Sequence, residues 1–202
     1  MISKIGPSYR VQFRRKREAK TNYYLRRKLL ESSAPRLVIR LSYQHVIAQV
    51  ISAHLDGDRT LATATSTHLV RDFNWKAGTR NLSAAYLTGL LVGINSQQKD
   101  YKQANLDIGF QSVVYGNRIF AALKGAIDSG MQIAHNDIVF PNEDRIRGEH
   151  IAKYSEYLNK LAKENDAQPT NQFSNYIKRG LRPEDVPNHF DQIREQIIKL
   201  KK

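Results

Sequence analysis

The chain has 202 residues, 41% of them hydrophobic and 25% charged, which suits one folded domain with extensions. Lys and Arg number 32 against 19 Asp and Glu, a formal net charge of +13, so its partners should be polyanions, with RNA, DNA and an anionic membrane surface all open. The lack of cysteine excludes disulfides and thiolate metal sites, no apolar run approaches the roughly 18 residues that span a bilayer, and Met1-Ile2-Ser3-Lys4 leads into polar residues rather than a signal-peptide core; a soluble, cytoplasmic protein is expected.

Charge gathers at the N-terminus. Residues 1–30 hold ten basic residues (Lys4, Arg10, Arg14, Arg15, Lys16, Arg17, Lys20, Arg26, Arg27 and Lys28) against the single acid Glu18, a net of +9, while the other 172 residues carry only +4. Tyr9, Phe13, Tyr23 and Tyr24 lie between those charges. Cations that neutralise phosphates beside rings that stack on unpaired bases are a combination suited to irregular RNA. A membrane-surface helix competes with this reading, but Arg14-Arg15-Lys16-Arg17 sets charge all round a helix and leaves no wide apolar face. The bland alternative is a solvated basic tail without a fixed partner. Arg14 to Leu30 contains no Pro or Gly, and Leu25, Leu29 and Leu30 recur at helical spacing, which predicts helix there, stopped by Pro35. Gly6-Pro7 favours an extended entry, and residues 1–13 are expected to order only against RNA or a neighbour.

Downstream, Arg36 to Leu41 reads as a strand, Ser42-Tyr43-Gln44 as its turn, and Val46 to His54 as the antiparallel partner. Asp56-Gly57-Asp58 signals a second turn, leading to a third strand over Thr60 to Thr67 with one polar face. Asn81 to Ser96 is a helix whose stripe of Leu82, Tyr86, Gly89 and Gly93 would let it pack closely on a sheet, since a helical Gly costs roughly 1 kcal/mol against Ala and needs a reason. Ala104 to Gly109 is a short buried strand, Arg118 to Ser129 a helix ended at Gly130, and Ile133-Ala134 a last strand. The order β-β-β-α-β-α-β gives an α/β class, a three-layer core with a mixed sheet. After Pro141 the composition becomes charged and helical, with helices over Ile151 to Asn165 and His189 to Leu200 and a looser stretch from Asp166 to Pro187. The division is a basic arm at 1–31, a core domain at 32–140 and a helical extension at 141–202 that rests on the body or on neighbouring molecules.

Asp56, Asp58, Asp107, Asp128 and Asp137 are the candidates for a two-metal nuclease, but turn chemistry accounts for Asp56 and Asp58 and the set has no two-metal spacing. His45, His54, His68, His135, His150 and His189 are scattered without an H-x-x-x-H pair, so no metal site is expected. An RNA contact is plausible for His45, whereas His135 beside Asn136-Asp137 reads as a local hydrogen-bonder. There is no G-x-S-x-G and no P-loop. Gly116-Asn117-Arg118 opens a helix whose backbone N–H groups could hold a phosphate. The alternatives to a dedicated RNA binder are a metal-dependent RNA-processing enzyme and an RNA chaperone without a preferred target.

Seven stretches carry a resemblance: Gly6-Pro7-Ser8-Tyr9, Arg14 through Tyr23, Pro35-Arg36-Leu37-Val38, Ser83 through Gly89, Leu106-Asp107-Ile108-Gly109, Arg118 through Ala126 and Arg145 through Ile151. In order and over nearly the whole chain, they resemble the 5S-rRNA-binding protein family of the large ribosomal subunit (universal protein eighteen) in its archaeal and eukaryotic form. One departure is Ser42-Tyr43-Gln44-His45, where the family more often carries an Asn-Lys pair between Ser and His, so a charge is lost. Another is Asp166 to Lys178, longer or less regular than the family pattern. The resemblance implies a structural component of the large subunit, not an enzyme, which binds 5S rRNA with its arm and part of its sheet and ties it to the large-subunit rRNA in the central protuberance. It implies RNA contacts at Tyr9, Arg10, Phe13, Arg14, Arg15, Lys16, Arg17, Lys20, Tyr23, Tyr24, Arg26 and Arg27, then Arg36, Arg40, Ser42, Gln44 and His45, then Arg118. Arg145 and Arg147 would reach large-subunit rRNA or a neighbouring ribosomal protein. No cofactor, small-molecule substrate or membrane partner is expected.

Overall fold

Alternation in Arg36-Leu37-Val38-Ile39-Arg40-Leu41 decides the two faces of the sheet. In a computed structural model that describes residues 6–164 and 171–201, β1 (Arg36–Leu41), β2 (Val46–His54) and β3 (Gly57–Thr65) form the expected antiparallel meander. A fourth strand, β4 (Asn105–Asp107), runs parallel to β1 on its other edge, so the order is β3-β2-β1-β4. Successive strand side chains point to opposite faces. Leu37, Ile39, Val46, Ala48, Val50, Ala62 and Ala64 accordingly enter the core, while Arg36, Val38, Arg40, Ile47, Gln49 and Ile51 share the outer face by register. The readings of Met1-Ile2-Ser3-Lys4, of Asn165 and of residues 166–170 in the looser stretch lie outside the described residues.

Two elements differ from the sequence-based order. Ile133-Ala134 is not a strand: the segment makes a single bridge, Gln103 to Gln132, and then leads into a 3-10 turn at Asp137–Val139 capped by Asn136. The third strand ends at Thr65 because a helix, α3 (Ser66–Phe73), starts there. Preceded in the chain by α1 (Arg14–Arg17) and α2 (Tyr23–Glu31), α3 has Thr65 as N-cap, its hydroxyl accepting from the His68 N–H while His68 Nδ1 accepts from the Thr65 N–H. That reciprocal pair is a capping box with histidine in place of the usual Glu or Gln.

The helix α4 (Leu82–Gln97) begins where predicted, with the Asn81 carboxamide accepting from the Ala84 N–H at 2.8 Å. It is buried all round, from Ser83 to Ile94, because it lies between two partners. One side covers β2 and β3; the other meets α5 (Arg118–Asp128), α6 (Glu143–Arg147) and α9 (Val186–Lys199). Its glycines serve a different contact from the one expected. A Cβ on Gly89 would fall 1.8 Å from the Ala122 carbonyl oxygen, and one on Gly125 would fall 2.1 Å from that of Tyr86. The two helices therefore touch backbone to backbone, α4 against α5 rather than against the sheet.

The C-terminal segment completes the third layer. α7 (Glu149–Glu164) and the short α8 (Ser174–Lys178) lead to α9, which places Val186, Phe190, Ile193 and Ile197 in the same buried cluster as Leu37 and Leu90. Each such side chain contributes roughly 1.5–3 kcal/mol by leaving water, so α9 is part of the core. His189 on α9 stacks on Trp75 with ring centroids 5.1 Å apart and accepts the Lys76 N–H through Nε2 at 3.1 Å. Burial, then the Lys76 charge, hold this imidazole below its ordinary value. The unfolded chain thus takes up the proton more readily than the folded one. The stability from this contact is complete above about pH 6.5 and is lost as the pH falls below it. Tm should drop between pH 7 and pH 5, and His189→Gln should reduce that slope in thermal melts. His150, also held down by burial, contributes in the same window, so the slope should shrink without vanishing; an unchanged slope would exclude His189.

Candidate nucleic-acid interface

The run from Arg14 to Leu30 is helical in two pieces rather than one. α1 (Arg14–Arg17) stops at Glu18, Ala19 takes φ +50°, and α2 (Tyr23–Glu31) restarts from Asn22, whose carboxamide accepts the Leu25 N–H at 3.1 Å. Asn favours such an N-cap because its side chain satisfies an N–H that the first turn leaves free. Arg15 Nε donates to Thr21 Oγ1 at 2.8 Å and closes the corner. α2 ends at Glu31, before Pro35 is reached.

Neither arm helix buries a residue. Tyr9 is 55% exposed, Phe13 and Tyr24 are each 72% exposed, and Tyr23 tilts against Phe13 with centroids 5.4 Å apart. Glu18 pairs with Arg14 and Lys20, both at 2.8 Å, and Arg27 lies 3.5 Å from Glu31. Arg10, Arg15, Lys16 and Arg17 pair with no carboxylate among the described residues, and Lys28 sits over the Tyr24 ring. Solvated cations beside exposed rings can meet phosphates and bases at once.

The arm is seated on the outer face of the sheet. Arg26 grips Asp58 with both terminal nitrogens, at 2.8 and 2.9 Å. Arg36 also donates to Asp58 at 2.9 Å and to Asp107 at 3.0 Å. Asp107 further accepts from Arg40 at 2.9 Å and from the Gly109 N–H at 2.9 Å. The Arg26 bond, before any other influence, holds the Asp58 carboxyl below its usual range, and the same bond raises the Arg26 guanidinium. Between arm and sheet lies a cleft of about 250 Å³ into which Arg15, Lys20, Arg26, Arg40 and Gln49 face. Asp58 is thus more than a turn residue: the hairpin turn is at Leu55-Asp56, and Asp58 joins arm to sheet. Asp107 and Asp58 were nuclease candidates in the sequence, and each is engaged by two arginines.

A second cluster surrounds the β1–β2 turn. The Ser42 N–H donates to the His45 carbonyl and the His45 N–H to Ser42 Oγ, both at 2.9 Å. Thr79 donates to the Gln44 carbonyl at 2.8 Å, Arg80 lies over the Tyr43 ring at 5.4 Å, and Arg118 donates to the Arg80 carbonyl at 3.2 Å. Burial, then the Arg80 charge, lower the Arg118 guanidinium. The fold therefore brings Ser42, Gln44, His45 and Arg118 together through Thr79 and Arg80. Tyr43, 83% exposed at the apex, has the same aromatic character as the arm tyrosines and was passed over as a turn residue; its place between Ser42 and His45 was the available signal.

Other candidates stand apart. Arg36 is 3% exposed, so its guanidinium faces two carboxylates instead of solvent. Arg40 is half-exposed, with bonds to the carbonyls of Ile39 and Asp107 as well. Arg147 is tied to Asp191 of α9 at 2.6 Å, with Arg145 exposed on the same short helix, away from the arm's contacts. The phosphate seat proposed at Gly116-Asn117-Arg118 is not open: their N–H groups donate to Val139 O, Val114 O and Asn117 Oδ1. Asp128 accepts from the Tyr86 hydroxyl at 2.7 Å, and burial, then that bond, push the phenol's pKa up. His135 bonds the Ile133 carbonyl at 2.7 Å, as a local structural contact should.

Comparison with known proteins places this arrangement. Residues 7–101 and 93–136 match the family described as "Ribosomal large subunit proteins 60S L5, and 50S L18". The large ribosomal subunit protein uL18 of Aeropyrum pernix is 44% identical over 192 residues, which cover 95% of this chain and 88% of that protein. The uL18 of Methanothermobacter thermautotrophicus is 45% identical over 192 residues, covering 95% and 96%. With matches of this extent along the seated arm, the sheet and the helices behind it, the chain belongs to the uL18 family of large-ribosomal-subunit proteins, in its archaeal form, as a structural component and not an enzyme.

Proposed function

We propose that the chain binds 5S rRNA through its arm and the outer face of its sheet, and helps attach that RNA to the large-subunit rRNA in the central protuberance. The observation that carries the reading is the seating of the arm: Arg26 is held by Asp58, while Arg10, Arg15, Lys16 and Arg17 pair with no carboxylate among the described residues and lie beside the exposed Tyr9, Phe13 and Tyr24. Phosphate contacts by these cations set register, and the rings stack on bases in unpaired loops. The Ser42–His45 turn with Tyr43, Arg80 and Arg118 adds a second contact region. Arg145, exposed on α6, is available to large-subunit rRNA or a neighbouring ribosomal protein, and Arg147 beside it, half-exposed while paired with Asp191 and Glu149, would join it there.

Competition settles the target. At physiological salt, 5S rRNA should displace an unrelated RNA of equal length by a large ratio, whereas a chaperone without preference gives a ratio near one. If about eight phosphates are neutralised, log K should fall against log salt with a slope of roughly −6 to −7. A ratio near one at 150 mM salt defeats the proposal.

A further inference from the structure

Among the described residues, Arg26 makes the only side-chain hydrogen bonds from α1 or α2 to the body, and neither helix buries a residue. The base of the arm is fixed by the half-buried Leu25 and Leu29 and by Asn105 donating to Ser32 Oγ at 2.7 Å, and the Arg26–Asp58 pair is the charged contact that holds α2 to the β3 edge of the sheet. Asp58 lies on β3 at one edge, opposite Ala53. Arg36 of β1 reaches across β2 to it, and Asp107 of β4 holds the other end of Arg36 from the far edge. Three guanidiniums alternate with two carboxylates across the full width of the sheet. Arg36 and Asp107 are almost wholly enclosed, with side-chain exposures of 4% and 9%. The pair behind Asp58 is thus rigid, and the pair in front of it is the joint to the arm.

We propose that Asp58 is a positioning residue for RNA binding, acting through Arg26 and Arg36 to hold the arm at one angle. The inference rests on the reading that the arm binds RNA. An acidic residue that improves binding to a polyanion is opposite to what bulk electrostatics predicts, and this contrast supplies the test. Asp58→Asn raises the formal net charge from +13 by one and releases Arg26 from its only carboxylate among the described residues. Were charge the whole account, affinity would rise and the salt dependence would steepen. If position governs, the freed arm samples many angles, and holding it becomes an ordering penalty of binding.

The experiment titrates 5S rRNA with the full chain and with Asp58→Asn at 150 mM salt, with circular dichroism to confirm the fold. Affinity should fall by up to about fivefold, the worth of one part-exposed charged pair, and the salt slope should become shallower. Arg26→Lys keeps net charge and leaves the Arg36–Asp58 pair in place, yet loses the fork that matches a carboxylate. It should weaken binding several-fold, and combining it with Asp58→Asn should add little further loss, because both act on one contact. If Asp58→Asn fails to fold, Arg26→Lys alone decides: unchanged affinity overturns the proposal. Equal or tighter binding by folded Asp58→Asn, or additive losses in the double variant, also overturns it. A full chain that does not distinguish 5S rRNA from unrelated RNA sinks the earlier reading instead, so the two failures can be told apart.

Discussion

Removal of residues 1–28 should reduce affinity for 5S rRNA by about a thousandfold or more at 150 mM salt while the body stays folded. The deleted segment carries a net +9 and leaves a body of only +4, so most of the electrostatic term goes with it. The exposed rings of Tyr9, Phe13 and Tyr24 leave as well, removing stacking worth roughly 1–3 kcal/mol per base. A loss of this size is the low end of the separation between specific and non-specific binding. The body should hardly register the change: no residue of α1 or α2 is buried, and the Arg26–Asp58 pair is part-exposed, worth up to about 1 kcal/mol. Asp58 keeps Arg36 as partner. Gel-shift titration and a thermal melt of the truncated chain check both halves. Full affinity after truncation would contradict the RNA-binding reading, and an unfolded body would contradict the independence of the arm.

Gly89→Ala should be strongly destabilising although alanine is the better helix former. Propensity alone favours the substitution by roughly 1 kcal/mol. Against it, the new methyl would sit 1.8 Å from the Ala122 carbonyl oxygen and 2.6 Å from its carbon. Both are main-chain atoms of α5, so no rotamer change relieves the overlap and the helices must separate. Overpacking of this kind costs about 3 kcal/mol or more, or a Tm lower by roughly 6–12 °C in a chain of this size. Gly93→Ala is the natural comparison. It meets the Ser129 hydroxyl, which can turn away by giving up its bond to the Ala126 carbonyl, and Ser129 Cβ at 2.8 Å, with the nearest main-chain atom at 3.1 Å, and should lose less than Gly89→Ala. A Gly89→Ala variant melting at or above the parent temperature would refute the backbone contact between α4 and α5.

The legible parts of the sequence were those governed by local rules. Alternation in residues 36–41, the turn residues near Gly57 and the Asn and Gly caps of α4 and α5 are decided within a few residues, and the strands and helices follow. The concentration of cations between Arg10 and Lys28 marked the arm without any structure. What escaped depended on partners distant in the chain. α3 is only eight residues and begins inside a run of Thr and Ala that reads as strand, and the partner of its Thr65 cap is a histidine, outside the usual signature. Arg36 and Arg40 share a strand face by spacing, but spacing is silent on two carboxylates 22 and 71 residues away that enclose one of them. Asp58 looked like turn chemistry for the same reason. The Gly89 and Gly93 stripe correctly announced a close approach, while the identity of the approaching element, α5, belongs to tertiary packing.

The burial of α9 against α4 has a bearing on the timing of synthesis. α4 precedes α9 in the chain, and the part of its outer side that faces α9, beyond its contacts with α5 and α6, stays wet until Val186, Phe190, Ile193 and Ile197 have been made. The body therefore reaches its final form only after α9 has been made. The cationic arm precedes the body in the chain, and neither of its helices buries a residue, so it is made before the interior it sits on is complete.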